Sequence, residues 1–372
     1  MGCEYRKVKL ADLTTTGKGT YGIAASGVEK NDNLYTYLRI TDINDDGTLN
    51  QSDMKSVADD DAAQYLLKPN DIVFARTGGS TGRNYFYDGK DGTFVYAGFL
   101  IKFSIDPLKV NPKYIKYYCQ SDVYKNWVRS FNTGSTRGNI NAQTFGNMEI
   151  PLPPREQQDY LVSVLEPLDE KIAINREIND NLQQQAQAIY SSMFIDNPDP
   201  AWSHGHLSDL ITVKYGKDHK KLAGGIYPVY GSGGIMRYVE RPLYNKESVL
   251  IPRKGTLNNV MYVNQPFWSV DTMFYTEMKL PNVAKFVYHF VKAKDLASMN
   301  AGSAVPSMTT DILNAMEVVI PSASALEEFE SLVAPMYEAM EANDVQSKAL
   351  SQMRDTPVSY THLRAHETVL DL

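Results

Sequence analysis

Cysteine is almost missing from this chain: Cys3 and Cys119 are the only two in 372 residues. Two thiols make neither a disulfide framework nor a zinc site, so both are expected to be free, as in a reducing compartment. No run of about 18 apolar residues occurs, which leaves no helical membrane span. Met1-Gly2-Cys3-Glu4-Tyr5-Arg6 lacks the apolar stretch of a signal peptide. Arg6 stands where a myristoylation signal carries Ser or Thr. The expectation is a cytoplasmic protein without membrane association.

Catalytic signatures are equally scarce. The histidines, among them His204, His206 and His219, form no set with metal-ligand spacing, so no metal is expected. Gly78-Gly79-Ser80-Thr81-Gly82-Arg83 lacks the spacing and the Lys of a phosphate-binding P-loop, and Gly231-Ser232-Gly233-Gly234 is not a dinucleotide fingerprint. Both are expected to be loops whose backbone approaches something closely. There is no Gly-x-Ser-x-Gly elbow, no paired-carboxylate signature and no Asn-Pro-Pro-Tyr-type methyltransferase motif. An enzyme acting alone, or one carrying its own cofactor, is not expected.

What the chain does have is a second copy of itself. Asn132-Thr133-Gly134-Ser135 returns as Asn300-Ala301-Gly302-Ser303, and Met148-Glu149-Ile150 returns as Met316-Glu317-Val318. Pro153, Pro167 and Asn175 return as Pro321, Pro335 and Asn343, always after 168 residues. A long-period duplication organises the whole fold. Two similar halves suit a ligand that also has two halves, of which duplex DNA is the commonest.

The net charge of −7 argues at first against nucleic acid, but the charge is unevenly distributed. Residues 62–150 carry eleven Lys/Arg against six Asp/Glu, and residues 201–320 carry thirteen against nine. Residues 155–194 and 322–356 are acidic, each with seven Asp/Glu against three and two basic residues respectively. Basic globular regions therefore alternate with acidic helical ones, a division suited to docking on phosphate with the helices kept off the DNA. The acidic stretch Asp42 to Asp61 works against this in the first half.

Strand-like runs fall at Tyr35–Ile43, Asp71–Ala75, Thr93–Phe103, Ser248–Ile251, Val260–Val263 and Thr272–Met278. Pro112–Val128 and Val283–Leu296 have helical spacing. Each globular region ends in a proline stop, Pro151-Leu152-Pro153-Pro154 and Ile320-Pro321. Leu161, Leu165, Leu168, Ile172, Asn175, Ile178 and Leu182 then follow at steps of 4, 3, 4, 3, 3 and 4, repeated by Phe329, Val333, Met336, Met340, Asn343, Gln346 and Leu350. This is a coiled-coil seam with one extra three-step, a stammer. Pro167 and Pro335 predict a short helix, a break and a longer helix with the proline in its first turn.

The helices pair with each other or pack on their own globular domains; the matching Asn175 and Asn343 favour pairing, because a polar residue in an apolar seam fixes register. Antiparallel pairing would put equivalent domains at opposite ends, as in a dumbbell. A helix over 168–194 would be about 40 Å long, on the order of one DNA turn at roughly 34–36 Å.

Candidate DNA contacts cluster where a strand delivers an arginine into a glycine turn. Asp71-Ile72-Val73-Phe74-Ala75-Arg76-Thr77-Gly78 corresponds to Ser248-Val249-Leu250-Ile251-Pro252-Arg253-Lys254-Gly255. Arginine pairs bidentately with guanine, while Ser, Thr, Asn and main-chain N–H groups serve phosphate. The candidates are Arg76, Thr77, Gly78, Ser80, Arg83, Arg137 and Asn139 in the first half. Lys217, Lys221, Ser232, Arg253, Lys254 and Thr256 are those of the second. The alternative for any single arginine is a structural one, capping a turn or pairing with a carboxylate.

These stretches resemble the specificity subunits of type I restriction-modification systems. The resemblance is carried by Tyr37–Ile43, Asp71–Arg83, Tyr96–Ile101, Gly134–Pro154 followed by Arg155-Glu156-Gln157-Gln158, Tyr227–Gly234, Ser248–Gly255 and Phe267–Thr272. It covers residues 5–356, and Pro151-Leu152-Pro153-Pro154 before Glu156-Gln157-Gln158 is its most specific phrase. It implies an α+β fold: target-recognition domains at 1–152 and 196–320, and helical regions at 153–195 and 321–356 forming an antiparallel two-helix coiled coil. It further implies that each domain reads one half of a bipartite duplex site. The helices would set the half-site spacing and dock two modification subunits, with restriction subunits as further candidates. S-adenosylmethionine is then expected on the modification subunits. A coiled-coil scaffold that binds no DNA and a fused restriction-type methyltransferase are the alternatives. Residues 357–372 depart from the family: Val358-Ser359-Tyr360-Thr361-His362-Leu363-Arg364-Ala365-His366-Glu367-Thr368 resembles the translation of a sequencing-library adapter, and a non-native tail is expected there.

Overall fold

The computed structural model describes residues 5–51, 53–131, 138–299 and 307–355. Cys3, Arg137 and the tail at 357–372 lie outside the described residues. The chain divides into two compact units, residues 1–172 with 348–372, and residues 173–347. The division falls inside the long helices rather than at their proline stops, because the start of each helix packs on a globular core.

In the first unit Asp71–Ala75 is the central strand, buried at all five positions. Its side chains alternate between two cores, as a strand covered on both faces requires. Ile72 and Phe74 join Leu10, Phe103, Tyr124 and Phe145, whereas Val73 and Ala75 join Leu38, Tyr85 and Tyr96. The sheet runs Thr20–Tyr21, Leu100–Ser104, Asp71–Ala75, Asn84–Tyr87, antiparallel throughout. A second sheet pairs Gly27–Val28, Lys55–Val57, Tyr35–Leu38 and Phe94–Tyr96 in that order, its last pair parallel. The run Thr93–Phe103 is thus two strands. Helical spacing from Pro112 to Val128 likewise resolves into Pro112–Tyr118 and Asp122–Arg129. Ser121 caps the second helix, its hydroxyl accepting from the Tyr124 N–H. Cys119 is free and fully buried, and burial pushes its thiol up.

The second unit repeats the main sheet in the same order: Ile211–Tyr215, Met273–Met278, Ser248–Pro252, Met261–Val263. Ser248–Pro252 is again buried at every position, with Val249 and Ile251 in one core and Leu250 in another. Its companion sheet differs, being the hairpin Tyr227–Gly231 and Gly234–Val239 with Trp268–Ser269 added in parallel.

Both proline-containing segments are single uninterrupted helices, Arg155–Ser191 with Pro167 inside and Ala323–Asp355 with Pro335 inside. The expected breaks do not occur. A mid-helix proline costs about 3 kcal/mol, and packing on both sides of it offsets that cost. Val162 and Leu165 are buried before Pro167, and Ile172 after it. Phe329 and Val333 precede Pro335, and Tyr337 follows it, all buried.

Several seam positions therefore serve the globular cores. Leu161, Leu165 and Leu168 pack with the first core, and Phe329, Val333, Met336 and Met340 with the second. Ile178 is 39% exposed, which removes it from the seam. Asn179 takes that place, donating to the Met340 carbonyl at 3.3 Å and to Asp344 Oδ1 at 2.9 Å. The step after Asn175 is four, not three, so no stammer exists. Within the second unit the helices run antiparallel, Asn175 meeting Asn343 and Ser347 while Asn179 meets Met340. The start of the first helix is fixed by Gln158, whose amide nitrogen donates to the Pro153 carbonyl and whose oxygen accepts from the Asn111 N–H, both at 2.8 Å.

Candidate nucleic-acid interface

Arg76 leaves the end of the central strand of the first unit in a tightly held frame. Its N–H donates to the Phe99 carbonyl at 3.1 Å and its own carbonyl accepts from the Ile140 N–H at 2.9 Å. Thr77 then bridges to Asn139, and Gly78 takes φ +77°, a conformation open chiefly to glycine. Thr81 closes the turn, its hydroxyl donating to the carbonyls of Gly78 at 2.8 Å and Gly138 at 3.0 Å. Ser80 accepts at its carbonyl from the Arg83 N–H at 2.9 Å. Arg76, Thr77, Gly78, Ser80 and Asn139 are thereby gathered in one place.

The Arg76 guanidinium lies over the ring of Tyr21 at 5.2 Å and that of Phe99 at 5.9 Å. Its Nε is buried and has no hydrogen-bond partner among the described residues. Tyr21 is 42% and Phe99 56% exposed, so the aromatic walls of this arginine face water. The Tyr21 hydroxyl accepts from the Ala142 N–H at 3.2 Å.

The second unit builds the same arrangement. Arg253 donates from its N–H to the Thr272 carbonyl at 2.9 Å and accepts from the Met308 N–H at 3.0 Å. Lys254 bridges to Ser307, and Gly255 takes φ +87°. The Arg253 guanidinium lies over Tyr215 at 5.3 Å, with Thr272 where the first unit has Phe99. Lys254, Gly255 and Thr256 are exposed. Ser232 joins them: a Cβ on Gly255 would lie 2.7 Å from its Oγ, and Asn259 donates to its carbonyl at 2.8 Å. Lys217 follows Tyr215 by two residues and is exposed, its carbonyl accepting from the Trp268 indole at 2.8 Å. Lys221 lies in a loop tethered by Arg237, which donates to the carbonyls of His219 and Leu222.

Arg83 is different. It pairs with Asp45 at 2.7 Å and donates to the Ile43 carbonyl at 3.0 Å, so its guanidinium ties down the 43–45 loop. That is the structural role open to any single arginine, and it removes Arg83 from the set of unpaired cations.

Sequence reasoning missed Tyr21 and Tyr215. Both are followed by glycine, and that dipeptide was the available signal. A Cβ on Gly22 would lie 2.2 Å from the Tyr96 carbonyl oxygen, and one on Gly216 would lie 2.0 Å from that of Val270. The two tyrosines stand at different distances from their arginines along the chain, so a fixed repeat interval does not align them. Among the described residues no group of three or more His, Cys, Asp and Glu side chains could hold a metal ion. No helix there is long and apolar enough to cross a membrane.

The family model described as type I restriction modification DNA specificity domain matches residues 3–184 and again 201–328. The chain belongs to this family. Among curated proteins of the type I specificity family it is 22% identical over 287 residues to the Methanocaldococcus jannaschii type I restriction enzyme MjaIX specificity subunit, covering 65% of this chain and 66% of that one. It is 21% identical over 254 residues to the Escherichia coli EcoprrI specificity subunit, covering 61% and 63%. The chain thus spans somewhat less than two thirds of the length of these relatives. Among solved structures, a type I restriction-modification S subunit from M. genitalium matches with a TM-score of 0.56 and 17% identity, over 96% of each chain. That likeness concerns the fold: two tandem α+β specificity domains.

Proposed function

We propose that this chain is the DNA-recognition subunit of a type I restriction-modification complex, each globular unit reading one half of a bipartite duplex site. The observation that carries this reading is the arginine turn built twice, with the same main-chain bonds and the same stacking tyrosine. Its neighbours Thr77, Asn139, Lys217, Ser232, Lys254 and Thr256 offer hydroxyl, amide and ammonium groups suited to phosphate and base edges. The long helices set the interval between half-sites and dock two modification subunits, with restriction subunits joining the same assembly. Their acidic composition suits protein partners better than phosphate. Methyl transfer belongs to the modification subunits, which carry S-adenosylmethionine; this chain binds and orients the duplex. The protein works in the cytoplasm, where its DNA is.

Methylome sequencing of the host, with and without this gene, tests the proposal. A bipartite methylated motif that disappears on deletion supports it. An unchanged methylome, or methylation of DNA by the purified chain alone, would replace it with a scaffold or a fused methyltransferase.

A further inference from the structure

We propose that Tyr21–Arg76 and Tyr215–Arg253 are one anchor made twice, each gripping a backbone phosphate of its half-site, with base discrimination left to the segments in which the units differ. The inference rests on the DNA-recognition reading above. Its first support is the sameness of the two pairs. The ring-to-guanidinium distances are 5.2 and 5.3 Å. In each unit the carbonyl of the arginine accepts an N–H from a residue two positions before a short helix, Ile140 before Ala142–Gly146 or Met308 before Thr310–Asn314. Each tyrosine precedes a glycine packed against two main-chain carbonyls at the end of another strand, those of Tyr96 and Ala97 or of Ser269 and Val270. An element made alike in two domains suits a feature that both half-sites share. It fits what all duplex DNA shares, which is the sugar-phosphate backbone.

The second support is charge. Neither guanidinium pairs with a carboxylate among the described residues; Arg76 has no side-chain acceptor there, and Arg253 has only the Asp271 carbonyl at 3.3 Å. Three other arginines are neutralised, Arg39 by Asp42 at 2.6 Å, Arg83 by Asp45 at 2.7 Å and Arg354 by Asp169 at 2.9 Å, whereas Arg237, also without a carboxylate, is occupied by the carbonyls of His219 and Leu222. A guanidinium held over a tyrosine ring with its Nη groups unpaired can bond a phosphate bidentately through them. Around this anchor the units diverge. Phe99 flanks Arg76 where Thr272 flanks Arg253, and the 39–54 segment of the first unit has no counterpart in the hairpin of the second.

The test uses the chain assembled with its modification subunits and duplexes carrying the motif found by methylome sequencing. Affinity is measured across a salt series for Arg76→Ala and Arg253→Ala, on the cognate site and on sites with one half scrambled. Each variant is expected to weaken binding by about tenfold on all of these duplexes, and to lower the slope of log affinity against log salt by about 1. Arg76→Lys, which keeps the charge and guards against a folding defect, is expected to retain the salt slope. A neutral methylphosphonate at the contacted position should reproduce the loss for the unmodified complex and add nothing to Arg76→Ala. A loss confined to the cognate half-site with an unchanged salt slope would make Arg76 a base reader and end this inference, leaving DNA recognition intact. A complex that does not prefer its motif over a scrambled duplex would overturn the recognition reading and this inference with it.

Discussion

The side-chain amide of Asn175 donates at 3.3 Å to the main-chain carbonyl of Asn343, the residue that stands 168 positions later and is its copy. The same amide reaches Ser347 Oγ at 3.1 Å, and the Asn343 amide reaches Asn179 Oδ1 at 2.8 Å. Since 347 is 168 beyond 179, the second bond is the first one with the copies exchanged. The helix pair therefore has a local two-fold at these asparagines, and a slip in register would separate each residue from its own repeat.

Asn175→Ala tests this pairing. Asn175 is 1% exposed, and its amide also donates to Gln346 Oε1 at 2.9 Å. Truncation leaves the Asn343 carbonyl and two side chains without their donor, and about 1–3 kcal/mol of stability should be lost. A lowered denaturation midpoint with unchanged slope is the expected result. An unchanged midpoint would mean that water replaces the asparagine at no cost.

Much of this was legible in the sequence because duplication is a long-range signal independent of local propensity. The interval of 168 marked Asn175 and Asn343, while the central strands Asp71–Ala75 and Ser248–Pro252, offset by 177, were matched by their shared apolar run into an arginine and a glycine, a run that fits strands buried on both faces. The seam was less legible. Leu165 and Phe329 satisfy helical spacing whether they face another helix or a globular core, and periodicity does not tell the two apart. Ile178 entered the seam on hydrophobicity, although Asn179 fits the geometry once the polar pair at Asn175 and Asn343 continues. Tyr21 and Tyr215 left only their shared Tyr-Gly dipeptide as a signal, because their place over an arginine is made by folding, across separations that differ in the two halves.

Acid should weaken the two units at different pH. His289 is fully buried, its Nδ1 toward Gln187 Oε1 at 2.8 Å and its Nε2 toward the Tyr337 hydroxyl at 3.0 Å. Burial, with Lys292 adding to it, pushes the imidazole down to about 4. The folded state stays neutral while the unfolded chain takes up a proton near its ordinary 6.5. Stability is therefore present in full above that value and falls between about 6.5 and 4, by about 1.4 kcal/mol per pH unit. In the first unit burial pushes Asp169 up, but Lys116 at 2.7 Å and Arg354 at 2.9 Å outweigh it and hold the carboxyl below its ordinary range. Its contribution persists above the ordinary carboxylate range and goes only as pH falls through the depressed value. Denaturation followed against pH should show His289→Gln flattening the upper limb and Asp169→Asn the lower one. A profile altered in the same window by both substitutions would contradict the assignment.

Pro167→Ala should stabilise the chain. The helix already continues through this exposed position, so alanine restores an N–H toward the carbonyl one turn earlier and relieves the ring clash. The looser unfolded state of the alanine chain takes back about 0.4–1 kcal/mol. A net gain of about 1–2 kcal/mol in denaturant unfolding is expected. A loss would mean that the bend at Pro167 is what seats Leu165 and Ile172 in their burial.

Gly79 and Gly216 differ sharply in the room a side chain would find. Gly79 stands in the arginine turn with nothing within 4 Å of a built Cβ and no positive φ. Gly79→Ala should therefore change stability by less than about 0.5 kcal/mol. Gly216 is buried, and its Cβ would lie 2.0 Å from the Val270 carbonyl oxygen and 2.6 Å from that of Ser269. These are backbone atoms of the segment that leads from Trp268–Ser269 into Met273–Met278, and they cannot swing aside. Gly216→Ala must push the strand Ile211–Tyr215 outward, carrying Tyr215 away from Arg253 and loosening the Gly216 N–H bond to the Met273 carbonyl at 3.0 Å. The expected outcome is a loss of stability of about 1–3 kcal/mol, as for other overpacked sites. DNA affinity of the assembled complex should fall with it, by a factor that Gly79→Ala does not share. If Gly216→Ala keeps both stability and affinity, the tyrosine does not depend on the close approach of these strands, and the shared Tyr-Gly dipeptide has another explanation.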